Sequence, residues 1–369
     1  MKVPFVDLRS QHEEVEDEVR LGLDSVFART AFVGGPEVTA FENAYAAFVR
    51  ADHCVGVGNG TDALELAMRA VGVRPGGEVI LPANTFIATA EAVSRIGATP
   101  VLVDVDEEHL LIDPVAAERA ITARTQAIAP VHLFGQSAFV ERLTPFADAA
   151  GIPIVEDAAQ SQGARRLGQP AGSLGHVAAT SFYPGKNLGA AGDAGAVTTD
   201  DPEVARMVRV LSSHGSERKY VHEVVGMNSR LDTVQAVYLS AKLARLEKWN
   251  ELRCQAADRY RTLLADVPGV RGPVSADGNE DVWHLYVVRV AERDRVLAAL
   301  AEAGIGAGIH YPTPVHLTAA YAHLGLPEGS FPVAERTAGE ILSLPMHPHL
   351  TPEQQEYVTG ALAEAVRGS

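Results

Sequence analysis

Lysine is scarce in this 369-residue chain, occurring at positions 2, 186, 219, 242 and 248, and only Lys186 stands where an amine could do chemistry. It follows the apolar run AATSFYP and opens the turn KNLGAAGDAGA, so its amine leaves the end of a rigid segment among small residues. An amine aimed in this way can add to a carbonyl, and the lack of bulk lets a planar molecule approach. The same placement also describes a lysine on a surface turn. Asp157 closes the apolar run IPIVED. A carboxylate at the C-terminal end of a buried strand can hold a protonated ring nitrogen, or simply cap the turn that follows. In VGVGNGTDALELAMRAVG, the N–H groups around Gly60 and Thr61 sit at the head of a helix whose Leu64, Ala67, Met68 and Val71 share one face. Free donors and the helix dipole favour a phosphate there. Gly56, Gly58 and Gly60 do not form the GxGxxG fingerprint, and such a turn can also be only a turn.

The elements that must position these groups follow from periodicity. Short runs rich in Val, Ile and Ala, namely HCVGVG, EVILPA, TPVLVDV, QAIAPVHLFG, IPIVEDA, AATSFYP and AGAVTTD, alternate with helical stretches from Phe41 onward. Strands of that composition are buried on both faces, which predicts a mostly parallel sheet in an α/β layer fold. Glu14 to Arg29 has the spacing of a surface helix, through Val15, Val19, Leu23 and Val26. Asp232 to Leu264 lacks Gly and Pro and carries Leu239, Leu243, Leu246 and Leu252 at helical spacing, which predicts a long helix between two domains. Beyond it, WHLYVVRV alternates like a strand of a half-exposed antiparallel sheet, and DRVLAALAEAGI and TPEQQEYVTGALAEAV are amphipathic. Two domains are expected, 1–245 and 246–369, the second a smaller α+β unit.

Composition narrows the function. There are 31 Lys and Arg against 47 Asp and Glu, a net charge of -16, which repels nucleic acid and anionic lipid. A few N–H groups and one or two Arg can still fix a phosphate locally. Cys54 and Cys254 are the only cysteines and share no metal or redox spacing, as expected of a cytoplasmic protein without a metal. The N-terminus turns acidic before any apolar core of an export signal, and no apolar run approaches the roughly 18 residues that span a bilayer.

Taken in order, GNGTDAL, PANTFIATAEA, VEDAAQSQGA, TSFYPGKNLGAAGDAGAV and NSRLDTVQA resemble the DegT/DnrJ/EryC1/StrS family of sugar aminotransferases, from VPFVDL at the start to GIHYPTPVH in the last quarter. The resemblance implies the type I aminotransferase fold: a large domain with a mixed, mainly parallel sheet, and a smaller C-terminal domain. It implies pyridoxal 5′-phosphate held as a Schiff base on Lys186, with Asp157 on the pyridine nitrogen and Gln160 near the phenolic oxygen. Phe86 would stack on the ring, although read alone it is an ordinary buried strand-end residue. Gly60, Thr61 and Ser181 would grip the phosphate, and Asn228 would reach it from the second subunit of a homodimer with composite active sites. Tyr183, Arg230, Tyr311 and His316 match positions that line a sugar-nucleotide pocket. In SSHGSERKYVHE, Arg218 and Lys219 would be available to a diphosphate, or would belong to an exposed charged loop.

By the same resemblance the donor is L-glutamate and the acceptor a nucleotide-linked keto-sugar, a dTDP-3-keto-6-deoxyhexose aminated at C3 in preference to C4. Three rivals are set aside on residues. A sugar dehydratase of the family has histidine where this chain has Lys186. A PLP-binding regulator without turnover has no need of Lys186, Asp157 and Gln160 together. A Rossmann oxidoreductase requires a dinucleotide fingerprint with an acidic residue roughly 20 positions on, and none is found.

Overall fold

The computed structural model describes residues 1–368. Seven strands build the main sheet: β1 (His53–Val57), β2 (Glu78–Pro82), β3 (Thr99–Val103), β4 (Thr125–Ile128), β5 (Val155–Asp157), β6 (Val177–Ser181) and β7 (Gly195–Thr199). One ladder has the order β3-β2-β4 and the other β1-β7-β6-β5; parallel bridges Ile128–Ile154 and Val131–Asp157 join them between β4 and β5. β7 runs against both of its neighbours, and the other pairings are parallel. The sheet is therefore mixed and mainly parallel, as the apolar runs predict. All five residues of β2 and of β7 are buried, the signature of strands covered on both faces.

The covering helices are specified locally. α1 (Gly60–Ala70) begins at Asn59, whose side chain accepts the N–H of Asp62 at 2.8 Å, and it buries Ala63, Leu64, Leu66, Ala67 and Met68 against the sheet. α2 (Ile87–Ile96) packs beside it, and α3 (Pro202–Ser212) starts on an Asp201 cap. α4 (Thr233–Leu264) runs unbroken for 32 residues. Its Leu239 and Leu246 pack with Phe41 and Phe182 in one core, while Ala256, Tyr260 and Leu264 pack with Val288, Leu300 and Val358 in another.

That second core lies against an antiparallel sheet of β8 (Val270–Arg271), β9 (Tyr286–Val290) and β10 (Ile341–Leu344), flanked by α5 (Arg293–Glu302) and α6 (Pro352–Arg367). α6 opens on a capping box between Thr351 and Gln354. The alternation in β9 predicts one open face, and here the structure differs. Val287 is buried with Leu133, Phe134 and Phe139 from the main unit, so both faces of β9 are covered. Arg289 stays partly open and pairs with Glu107 and Glu340. Among the described residues, no helix is long and apolar enough to cross a membrane, and no group of His, Cys, Asp and Glu is placed to hold a metal ion.

Candidate active site

The C-terminal ends of β1, β2, β4, β5 and β6 converge on a cavity of about 590 Å³. Open α/β sheets bind ligands at this edge because helix N-termini and strand-end side chains point there. Lys186 and Asp157 both line it. Asp157 is 5% exposed, with Oδ2 accepting from Thr89 Oγ1 at 2.7 Å and Oδ1 from the N–H of Ala159 at 3.2 Å. Burial pushes its carboxyl above the usual range, against the pull of these bonds and of Lys186. Lys186 sits on the tight turn after β6, its N–H donating to the carbonyl of Tyr183 at 2.8 Å. Shielded from bulk solvent, its ammonium is disfavoured, and the pKa falls to about 8 although Asp157 pulls it upward.

The phosphate-binding expectation can be tested on space and donors. A Cβ on Gly60 would stand 2.5 Å from Cβ of Ser181, so only glycine brings the head of α1 this close to the end of β6. Gly60, Thr61 and Ser181 line one end of the cavity, and among the described residues nothing accepts from the N–H groups of Gly60 and Thr61. Gln160, also in the lining, is oriented by the N–H of Phe134, which donates to its Oε1 at 2.7 Å; its Nε2 then donates to Tyr311 Oη at 3.0 Å. Phe86 is 51% exposed with its ring 5.1 Å from that of Tyr311, which excludes the buried strand-end reading. Tyr183, 59% exposed, lines the same cavity.

Three expected site residues do not line the cavity of their own chain, as is expected of Asn228 in a composite site. In NSRL, Ser229 turns inward and its Oγ accepts from the N–H of Gly58 at 3.0 Å, whereas Asn228 and Arg230 are exposed, with Arg230 Nε donating to Asn228 Oδ1 at 3.1 Å. Neither lines the cavity of its own chain. His316 is 2% exposed, 2.9 Å from Glu335 Oε1 and edge-on to Phe331, and it does not reach the cavity either. The segment with Arg218 and Lys219 is a short exposed hairpin, Ser216–Arg218 against Val221–His222.

Sequence reasoning passed over Thr89, Asn59, Asp193, His284 and His310, all in or beside this site. For Thr89 a signal existed: Thr85, just ahead of α2, and Thr89, in its first turn, are four residues apart, and their hydroxyls lie 2.8 Å apart. His284 and His310 arrive from the second sheet and carried no local signal.

An amine and a carboxylate lining one cavity, a glycine-led helix N-terminus for a phosphate, and an exposed aromatic ring fit pyridoxal phosphate and define a site for that cofactor. The model of the DegT/DnrJ/EryC1/StrS aminotransferase family matches residues 13–363, and the chain belongs to that family. It is 49% identical, over 98% of its length and 99% of the relative's, to the erythromycin biosynthesis sensory transduction protein EryC1 of Saccharopolyspora erythraea. It is 48% identical to the dTDP-3-amino-3,4,6-trideoxy-alpha-D-glucose transaminase of Streptomyces venezuelae, covering 98% of this chain and 96% of that one. The crystal structure of S. venezuelae DesV superimposes with a TM-score of 0.96 at 47% identity, covering 98% of each chain. The protein is a pyridoxal phosphate-dependent aminotransferase with the type I fold.

Proposed function

We propose that the protein moves the amino group of L-glutamate to C3 of a dTDP-linked 3-keto-6-deoxyhexose during deoxyaminosugar biosynthesis. The observation that carries this is the near full-length identity to a transaminase named for a 3-amino dTDP-sugar. A cavity of about 590 Å³, walled by Phe86, Tyr183 and Tyr311, leaves room for a sugar beside a planar cofactor. When bound, pyridoxal phosphate supplies the carbonyl that takes up the amino group and a ring that spreads negative charge. Asp157 would hold the protonated ring nitrogen, Gly60, Thr61 and Ser181 the phosphate, and Gln160 the phenolic oxygen. Lys186 Nζ would carry the covalent link; as a free neutral amine, it would take a proton from one carbon and return it to another. Its depressed pKa supports that second role, since a base must be unprotonated near neutral pH.

The reading includes a cytoplasmic homodimer. Asn228 and Arg230 face solvent beside the segment that leads into α1, an arrangement that supports their serving a partner's cavity. It also divides the chain inside α4, near residue 245, because that helix serves one core with its first half and another with its last turns. A regulatory role, suggested by the name of the erythromycin relative, leaves Lys186 and Asp157 without a task. The test is incubation with glutamate and a panel of 3-keto and 4-keto dTDP-sugars, with the new amine located by NMR. Amination at C3 is expected; exclusive amination at C4 refutes the regiochemistry, and no amination of any sugar refutes the substrate class.

A further inference from the structure

The segment that follows Lys186 is held from one side of α4. Gln235, Lys242 and Asn250 stand about two turns apart along that helix, a spacing that keeps them on one side of it. Gln235 Oε1 accepts from the N–H of Ala191 at 2.9 Å, Lys242 Nζ donates to the carbonyl of Gly189 at 2.8 Å, and Asn250 Oδ1 accepts from Asn187 Nδ2 at 3.0 Å. As the helix advances, its contacts step back along the chain toward Lys186. None of the three side chains lines the cavity, so whatever they do for the site they do through this segment.

The segment has little freedom to absorb a displacement. The N–H of Lys186 donates to the carbonyl of Tyr183 at 2.8 Å and that of Ala190 to the carbonyl of Phe182 at 2.7 Å, which closes residues 182–190 on themselves. A Cβ on Gly189 would stand 2.2 Å from the carbonyl oxygen of Pro184, so the residue that Lys242 holds is packed on the stretch that leads into Lys186.

Packing alone does not call for a lysine at position 242. It is 2% exposed, and among the described residues no carboxylate pairs with it. The rings of Tyr238 and Trp249, 5.3 Å and 5.8 Å from Nζ, offset part of the cost of burying a cation. Burial and Arg253 bring its pKa down to about 8, and the ammonium and the amine both keep an N–H for Gly189. An apolar side chain of the same length would avoid that burial cost, so the bond to the turn is what the lysine adds. Further along α4, Arg253 donates to the carbonyls of Trp283 at 3.2 Å and Met346 at 3.1 Å. One helix thus grips the turn of Lys186 and the segments flanking β9 and β10.

We propose that Lys242, together with Gln235 and Asn250, is a positioning residue for Lys186: the side of α4 that they share fixes the segment after the reacting lysine, and with it the place from which the amine leaves the turn. The proposal rests on Lys186 being the reacting amine.

Lys242→Met keeps the length of the stem and removes the donor. In hydrogen–deuterium exchange of the full chain without cofactor, the peptide spanning residues 183–191 should exchange roughly 10- to 100-fold faster, the scale of losing one buried hydrogen bond, with β7 and the rest of α4 unchanged. On adding pyridoxal phosphate, the affinity of the first, non-covalent binding should stay within about twofold. The rate at which the visible absorption of covalently held cofactor appears should fall roughly 10-fold, the effect of a displaced reacting group. Asn250→Ala, which takes the acceptor from Asn187, should reproduce this pattern, and Gln235→Ala, at the half-buried end, should do so in smaller measure. Unchanged exchange in the turn, an unchanged rate, or faster exchange spread through the whole chain overturns the proposal. If the two buried variants do not fold, Gln235→Ala decides on the same readings. If the unaltered chain gives no such absorption, Lys186 is not the reacting amine and the functional reading fails, while the exchange still tells whether α4 holds the turn.

Discussion

Gly60 and Ser181 meet with no space between them: a Cβ on the glycine would stand 2.5 Å from Cβ and 3.1 Å from Cα of the serine. The first residue of α1 and the last of β6 are thus locked together at the place where, on the proposed reading, a phosphate would sit. Gly60→Ala forces them apart. Overpacking of this kind costs about 1–3 kcal/mol, so cofactor affinity should fall roughly 10- to 100-fold. Equilibrium titration of the cofactor-free protein with pyridoxal phosphate measures it. Unchanged affinity would mean the phosphate is held elsewhere.

Asp157 depends on Thr89 for one of its two hydrogen bonds. Thr89→Val keeps the shape and removes the donor, leaving a buried oxygen unsatisfied at a cost of about 1–3 kcal/mol. The carboxyl, already raised by burial, should rise further, and the cofactor should bind more weakly. Asp157→Asn removes the charge outright and should slow glutamate turnover by about 10²–10³-fold, the scale of losing one electrostatic stabiliser. Stopped-flow absorbance in single turnovers separates the two. Wild-type rates in Asp157→Asn would remove this residue from the mechanism.

The amine of Lys186 is held at about 8, against 10.5 for an ordinary lysine. An unfolded chain therefore binds one more proton than the folded one between those values, and this group makes the cofactor-free protein more stable as pH rises from about 8 to 10.5. Below about 8 the lysine is protonated in both states and the cost of burying its charge is fully present. Cofactor capture needs the neutral amine, so its rate should climb about tenfold per pH unit below 8 and level off above it. A rate still climbing at about pH 10 would show an ordinary solvated lysine. Lys186→Ala should abolish the visible absorption of the covalently held cofactor.

If Asn228 serves the partner's cavity, Lys186→Ala and Asn228→Ala should each be impaired alone yet complement each other when mixed and allowed to exchange subunits. A mixed dimer has one site carrying both lesions and one carrying neither, so activity should recover to roughly a quarter of the wild-type level at equal mixing. Glutamate-dependent product formation gives the readout, with sedimentation to follow the dimer. Absence of recovery in a mixture shown to exchange would rule out shared sites.

The main sheet was legible because its strands lie in short runs rich in Val, Ile and Ala that alternate with helical stretches, and in β2 and β7 every residue is indeed covered. The long helix from Thr233 was legible because no Gly or Pro interrupts it. The face of β9 was misread: Val287 lies in an alternating pattern, but a loop some 150 residues earlier in the chain covers it. Lys186, Asp157 and Gly60 could be picked out because strand ends and glycine turns leave local marks, and the order of the motifs added the rest.

What sequence by itself determined is the inventory of reacting groups and the strands that aim them, since both depend on neighbours within a few residues. Tertiary structure alone decided that Phe86 is open to the cavity, that His316 turns away to Glu335, and that Asn228 leaves its own cavity for solvent. It also decided which side chains of α4 meet the segment after Lys186: Gln235 at Ala191, Lys242 at Gly189 and Asn250 at Asn187. Hydrogen bonds among residues so distant along the chain exist only once the chain has folded, and no local pattern encodes their direction.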